Sequence, residues 1–408
     1  MARSIIIGAG MVGLATAWHL QEHGVSVTVV DRAGVAADAS WGNAGWLAPG
    51  KTIPLADSSV WTYGPKALVD PNAALHIPLR MDPALWSFLA RFAAHGTQRA
   101  WERAMAALAP INAIALECFD ELRAGGVDAW TREGAFVIGF AAFRDARPFL
   151  REIEGVKRHG LPATLTRIER PADACPVLSD KVQLAYHLEG QRFIEPAAYL
   201  HALAESVVAR GGVIRTDAEV TAVEGGQHPA ALLADGSRLD ADSVVVSTGA
   251  HLPRLTRRFG VRTRVQAGRG YSFTVATDEP VTRPLYLPKQ RIACTPVQGR
   301  LRIAGTMEFR GADDPLQQRR IESIVNQARA LLRGVDLDDR RDEWVGSRPV
   351  TPDGLPLVGA TRAPGVYVGG GHGMWGIVLG PATGKLLARQ IATGVVDPII
   401  APFDPLRG

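Results

Sequence analysis

The chain reads as an α/β protein in which a doubly wound parallel sheet is interleaved with an α+β unit built on an antiparallel sheet. Three observations predict this. Short β-branched runs without alternation, Ile5 to Ile7 and Val244 to Val246, suit parallel strands covered on both faces. Helical runs follow such strands in the strand–helix–strand order of crossover units. From Arg269 to Thr306 the pattern changes to alternation, as in an antiparallel sheet with one covered face.

The first thirty residues organise the rest. Gly8, Gly10 and Gly13 follow the isoleucine strand at once, in the spacing G-x-G-x-x-G. Gly8 permits a tight turn, Gly10 lets backbone approach a pyrophosphate, and Gly13 lets the next helix sit close to the sheet. Met11 and Val12 open that helix at its phosphate end, and Leu14, Ala15, Ala17, Trp18 and Leu20 give it an apolar body. The second strand, 25–30, ends at Asp31 and Arg32. An acid at Asp31 can accept both hydroxyls of an adenosine ribose. Strand, turn, helix, strand and acid in that order specify a dinucleotide site, which three glycines alone would not.

A polar loop then narrows into Ser40-Trp41-Gly42-Asn43-Ala44-Gly45-Trp46. Two readings stand for it: backbone lying along a flat ligand, with Asn43 offering amide hydrogen bonds, or a plain turn. Residues 48–83, rich in proline, glycine and aromatics, read as an irregular excursion. From Pro83 the spacing of Leu85, Trp86, Leu89, Phe92 and Ala93 predicts a helix, and a second covers 100–124, broken or bent near Pro110. Core packing is one fate for these side chains. The alternative sets Trp86, Phe88 and Phe92 against a membrane or partner, since Lys66, Arg80 and Arg91 lie nearby. Strands are expected over 134–140, 182–188 and 192–194 and a helix over 149–158, a block assigned to substrate recognition.

Pro196 opens a helix that runs to Arg210, and strands at 213–216 and 219–224 resume the parallel sheet. The strand from Ser243 ends in small residues, and ligands bind outside the carboxyl ends of such strands, so Thr248 and Gly249 are expected at the dinucleotide. His251 reads as structural. Alternating strands at 269–275, 292–296 and 301–306 and a helix over 317–333 come next. The last block, from 346, returns to the first domain with a strand at 366–368 and a helix over 377–393 that carries Pro381 in its first turns. Gly371, Gly373, Met374, Trp375 and Gly376, with Ile377 at the helix start, can aim N–H groups at an electron-rich ligand edge. Residues 1–47, 196–265 and 344–408 are thereby assigned to the nucleotide-binding domain, and 48–195 and 266–343 to the substrate domain.

Composition narrows the classes. At 408 residues the chain is long enough for two cores, and 47% hydrophobic with 21% charged residues is ordinary for a globular protein. A net charge of +4 from 45 basic and 41 acidic side chains, not gathered in a stripe, argues against nucleic acid. It is compatible with anionic substrates or an anionic lipid surface. Cys118, Cys175 and Cys294 are far apart and form neither a disulfide framework nor a metal motif, so no metal site is expected and a reducing compartment is the default. With no leader or transmembrane span read from the sequence, a cytoplasmic location is expected, with the inner face of the cell membrane as a peripheral site.

A dinucleotide fold interrupted twice by a second domain suits a bound flavin, which a chain can touch at its start, middle and end. The N-terminal turn would hold the pyrophosphate of FAD. The glycine-rich loop near 376 would face N1 and O2 of the ring, where helix-end dipoles favour the negative charge of reduction.

Five pieces then carry a resemblance: IIIGAGMVGLATAWHL, SWGNAG, GRGYSF, GSRPVTPDGLPLVG and GHGMWGIVLGPATGKLLA. Spread over positions 5–391, they resemble the D-amino-acid dehydrogenase small-subunit group of the FAD-dependent D-amino-acid oxidase (glycine oxidase-like) superfamily. Similarity is only general over 68–92 and 134–170. The resemblance implies a Rossmann-like FAD-binding domain and oxidation of an amine α to a carboxylate, by hydride transfer from substrate Cα to flavin N5 without a strictly required protein base. Electrons would pass to a quinone-like acceptor. Alternatives are an oxidase or dehydrogenase of glycine, sarcosine or D-proline and D-hydroxyproline, and a non-catalytic electron-transfer subunit. Arg348 matches the arginine that pairs with substrate carboxylate, which a guanidinium binds in bidentate fashion, and Tyr271 matches a pocket tyrosine. Asn43, Ala44 and Gly45 would lie beside the flavin, with Ser40 and Trp46 flanking them. The backbone of Val220 would meet adenine. Trp375 would wall the pocket. His372 is either a flavin or substrate contact or a loop-stabilising hydrogen-bond partner.

Overall fold

The computed structural model describes residues 2–58, 60–70 and 72–407; Ser59 and Pro71, within the stretch expected to be irregular, lie outside the described residues. One six-stranded sheet runs in the order Val213–Arg215, Ser26–Val30, Arg3–Ile7, Ser243–Val246, Val366–Gly370, Leu357–Ala360. All neighbours are parallel except the last pair. Arg3–Ile7 lies centrally, with Ser26–Val30 and Ser243–Val246 on either side. Strand order therefore reverses beside it, which is where such sheets open a crevice at their carboxyl ends.

Helices Met11–Glu22 and Gly376–Thr393 lie against each other on this sheet. Their closeness needs glycine: a Cβ on Gly380 would strike Met11, and one on Gly384 would strike the backbone of Ala15 and Thr16. Pro381 sits in the second turn and is buried. Helix Ala115–Ala124, expected in the substrate domain, packs into this same core, with the Phe119 ring 5.3 Å from that of Tyr199.

The second layer is a nine-stranded sheet in the order Arg341–Val350, Gln266–Val275, Arg300–Phe309, Ile292–Val297, Leu285–Leu287, Phe136–Phe140, Leu184–Leu188, Leu165–Ile168, with Leu75–His76 added beside Arg300–Phe309. Most pairs are antiparallel, as alternation predicts; Leu285–Leu287 with Phe136–Phe140 and Leu75–His76 with Arg300–Phe309 are parallel.

Four expectations are corrected. Arg341–Val350 pairs along Gln266–Val275, so the chain re-enters the first domain after Val350 rather than at 344. Val220–Glu224 does not extend the parallel sheet but begins a separate three-stranded antiparallel one. The excursion holds a helix, Val60–Val69, and a buried 3-10 turn, Pro49–Lys51. The long helical run divides at Ile114 into Gln98–Ala113 and Ala115–Ala124, and Pro110 stays inside the first helix. Phe88 and Phe92 are buried against Phe309, so packing accounts for both, while Trp86 is 40% exposed.

Candidate active site

A cleft of about 310 Å³ opens at the carboxyl ends of the central parallel strands. Gly8, Gly10, Asp31, Arg32, Ser40, Val220, Thr248 and Gly249 line it. Each glycine of the turn meets a different demand. Gly8 has φ 115° and abuts the Ser247 carbonyl, while Gly13 abuts the Gly8 carbonyl. Gly10 has ordinary extended backbone, and a Cβ there would find only Ser40 Oγ, 3.5 Å away. Gly10 thus faces open cleft, where the first helix N–H groups are free of intrahelical partners.

The Asp31 carboxylate accepts N–H groups of Ala9 (2.8 Å), Ala33 (2.9 Å) and Gly34 (3.0 Å). A carboxylate has about four acceptor positions, so room for a hydroxyl donor remains. Arg32 donates to His251 Nε2 at 2.9 Å and to Asp313 at 3.2 Å. His251, read as structural, is therefore a wall of the cleft, as are Asp38, Ser247 and Arg254, which sequence reasoning missed. Burial raises the Asp38 carboxyl against the Ser347 N–H and the nearby His251, Arg32 and Arg269. Ser247 Oγ and Thr248 Oγ1 are buried without a partner among the described residues.

The Ser40–Trp46 loop is gripped by the nine-stranded sheet. Ser272 Oγ donates to the Gly42 carbonyl (2.8 Å), Thr295 Oγ1 to the Ala44 carbonyl (2.8 Å), and Arg302 to the Trp41 carbonyl (2.9 Å). Trp46 Nε1 donates back to Thr295 Oγ1 at 2.9 Å. The Asn43 amide oxygen accepts the Gly45 N–H at 2.9 Å, so that oxygen shapes the turn. Gly42 and Gly346 share one reason for lacking a Cβ: the Trp344 indole covers both. Residues 48–54, read as irregular, are buried, and the Ile53 carbonyl accepts Trp375 Nε1 at 2.7 Å. Trp375 thereby ties the glycine-rich loop to this segment.

Arg348 lies on the sheet face turned toward that loop. It stands opposite Gly268, and the same face carries Gly270, Ser272, Trp344 and Gly346. The guanidinium fills the space a Gly270 side chain would need and donates to the Thr306 carbonyl at 3.4 Å. No carboxylate pairs with it among the described residues. Burial lowers its pKa to about 10, so it stays a cation at neutral pH. The residue as a whole keeps some accessible surface. An uncompensated buried cation calls for an anion.

Thr306, also missed, is the extra residue of a bulge opposite Gly270 and Tyr271. It has φ 53° and a buried, unpartnered Oγ1. Bulges beside sites re-aim neighbouring groups, and nothing in the alternating sequence marks this one.

The expected partnership of Tyr271 with Arg348 is not made. Tyr271 stands opposite Val345 and projects from the other face, where it is wholly buried and donates to Glu308 Oε2 at 2.9 Å. His372 is buried with Nε2 2.9 Å from Thr383 Oγ1, the loop-stabilising alternative, and burial lowers its pKa to about 4. Met11, Val12 and Gly13 stand behind the cleft at the helix start; Gly371, Gly373, Met374, Gly376 and Ile377 lead into the C-terminal helix. Among the described residues no group of three or more His, Cys, Asp or Glu is placed to hold a metal, and no helix is long and apolar enough to cross a membrane.

Fold and cleft together suit a bound dinucleotide, and the chain belongs to the FAD dependent oxidoreductase family, which matches residues 3–390 and makes it an oxidoreductase. It is 30% identical over 403 residues to the D-amino acid dehydrogenase of Paramagnetospirillum magneticum, covering 95% of this chain and 94% of that protein. The D-amino acid dehydrogenase of Cereibacter sphaeroides is likewise 30% identical, over 400 residues, covering 95% of this chain and 91% of the relative. Among solved structures, glycine oxidase from Geobacillus kaustophilus superposes with a TM-score of 0.74 at 21% identity over 100% of both chains. Iminodiacetate oxidase from a Chelativorans species does so at 0.72 and 21%, over 99% of each.

FAD is the cofactor of this family, and the cleft fits it. Gly10 leaves a vacant approach beside free N–H groups, and the Ser247 and Thr248 hydroxyls lack protein partners. Both are what an anionic, hydroxyl-rich ligand would satisfy.

Proposed function

We propose that the protein oxidises the C–N bond of an amino acid whose amine lies α to a carboxylate. The product is an imino acid, which water hydrolyses to an oxo acid and ammonia, or to the free amine when the nitrogen is substituted. Bound FAD supplies the hydride acceptor. The observation that carries this reading is Arg348, a buried guanidinium with no acid partner among the described residues, on the face turned toward the Ser40–Trp46 loop.

Gly10, Asp31, Ser247 and Thr248 would hold the adenosine and pyrophosphate end, and the Ser40–Trp46 and Gly371–Gly376 segments the ring end. Arg348 would bind the substrate carboxylate and fix the direction of Cα, so that positioning carries the rate. The low pKa of His372 and its bond to Thr383 leave it neutral and structural, and no protein base enters the scheme.

Within this class the narrower reading is a D-amino-acid dehydrogenase passing electrons to a quinone-like acceptor. The broader one, an oxidase or acceptor-linked dehydrogenase that also takes glycine, sarcosine or D-proline, better fits the spread of relatives and is preferred. The purified, FAD-loaded protein should bleach anaerobically with some member of a panel of D- and L-amino acids, glycine, sarcosine and D-proline. An unchanged flavin spectrum across the panel overturns the reading. Recolouring on admission of oxygen identifies an oxidase; persistence of the bleached state identifies a dehydrogenase.

A further inference from the structure

Half of the large apolar side chains left exposed among the described residues lie between 61 and 86: Trp61, Tyr63, Val69, Leu79, Met81 and Trp86. Single exposures scattered over a surface need no account, but a concentration of them marks a face that meets something less polar than water. Met81 is fully exposed and Leu79 is 71% exposed. With Arg80, Asp82, Pro83 and Trp86 they border one shallow recess.

This face is held in place by the body of the protein. The Met307 N–H donates to the Ala74 carbonyl at 2.6 Å, Leu75–His76 pairs with Arg300–Phe309, and Phe88 and Phe92 pack on Phe309. Helix Pro83–His95 therefore buries Leu85, Phe88 and Phe92 and turns Pro83, Trp86, Ala90, Arg91 and Ala94 outward. Trp61 Nε1 donates to the Gly96 carbonyl and Trp86 Nε1 to the Arg80 carbonyl, both at 2.9 Å. Backbone thus satisfies the indole N–H groups while the rings stay open to water. Of the three aromatic residues that the sequence set at such a face, Trp86 is there, and Leu79 and Met81 take the place of Phe88 and Phe92.

Charge indicates what covers it. Neither Val60–Val69 nor Pro83–His95 contains an acid, whereas Lys66 and Arg91 are exposed on them and Arg80 lies between. Both acids of the intervening stretch are engaged locally. Asp82 caps the N–H groups of Ala84 and Leu85, and Asp70 accepts the Asn72 N–H and lies 3.7 Å from Lys66. Arg80 meets Asp314 at 3.0 Å, an exposed pair of the kind that costs little to exchange for another anion. Among the described residues Arg91 makes no side-chain hydrogen bond or ion pair. Trp, Met and Leu side chains rimmed by long-stemmed cations match the boundary between the phosphates and acyl chains of a lipid bilayer.

We propose that the face formed by Val60–Val69, the 78–82 loop and Pro83–His95 docks the protein reversibly on an anionic bilayer. Leu79, Met81 and Trp86 enter at headgroup depth, and Lys66, Arg80 and Arg91 meet lipid phosphates.

The test is co-sedimentation of the FAD-loaded full chain with vesicles of phosphatidylcholine alone and of phosphatidylcholine mixed with phosphatidylglycerol. Wild type should bind the mixed vesicles, bind the neutral ones far less, and be released as salt rises. Leu79→Ser combined with Met81→Ser should lower the partition by about tenfold or more, and Arg91→Gln should lower it by about fivefold. Flavin content and unfolding midpoint should match wild type in both. Val395→Ser, exposed on the nucleotide-binding domain, should bind as wild type does. Absence of binding to mixed vesicles, equal binding to neutral ones, binding that survives the double variant, or an equal loss in Val395→Ser overturns the proposal. A dimer in light scattering that the double variant dissolves assigns the face to a second copy of the chain and overturns it as well.

Discussion

Arg348 is where stability and function pull apart. Its charge has been taken from water without an acid among the described residues to offset it, and a carbonyl at 3.4 Å is weak compensation. Arg348→Met keeps an unbranched stem about as long as the arginine's aliphatic part and removes the buried charge. That variant should gain on the order of 1 kcal/mol in thermal unfolding of the FAD-loaded protein. It should also lose about 2–5 kcal/mol of carboxylate affinity, read from the flavin spectrum. A fall in both quantities would mean that Arg348 is a structural residue. Arg348 was legible only through its motif, since an arginine before proline carries no signal of burial. Tyr271 shows the limit of the same reasoning. In an alternating strand one residue decides the face, and the sequence around Gly270 does not say which of its neighbours turns inward.

At the scale of the element, the strand–turn–helix unit separates binding from folding within three glycines. Gly10→Ala adds a methyl to open cleft and costs about 1 kcal/mol as a poorer helix cap. Gly13→Ala drives a methyl into the Gly8 carbonyl. The first variant should purify folded and colourless, with FAD affinity lost, and circular dichroism should match wild type. The second should be destabilised whether or not FAD is supplied. Matching behaviour of the two would remove Gly10 from the phosphate site. This unit was fully legible because one local pattern sets its strand, turn, helix and acid. Residues 48–54 were not: their order comes from contacts such as that with Trp375, far away in sequence. The expected boundary at 344 cut through the strand Arg341–Val350 for a similar reason, because its partner Gln266–Val275 lies far back in the sequence and a motif reports chemistry rather than pairing.

For the whole molecule, a buried charged cluster behind the site fixes the acid limit. Burial alone would raise the Glu308 carboxyl, but hydrogen bonds from Arg310, Tyr271 and His76 and the Arg310 charge outweigh it and hold the pKa down to about 2. A folded pKa below the ordinary 4.5 means stability that is complete above 4.5 and lost as pH falls toward 2. Glu308→Gln should therefore flatten the stability profile between those values. Unfolding midpoints across that range check this, and a profile parallel to wild type would dismiss the cluster as the cause. Since His76 brings Leu75–His76 to the sheet, loosening there also frees the excursion. The grip of the second sheet on the Ser40–Trp46 loop has a further outcome. The loop emerges early from the ribosome, but its anchors at Ser272, Thr295 and Arg302 follow more than two hundred residues later, and Val366–Gly370 later still. In a nascent chain the first glycine turn therefore precedes every anchor of this loop, and the socket proposed for the flavin ring closes only after Val366–Gly370 has been made.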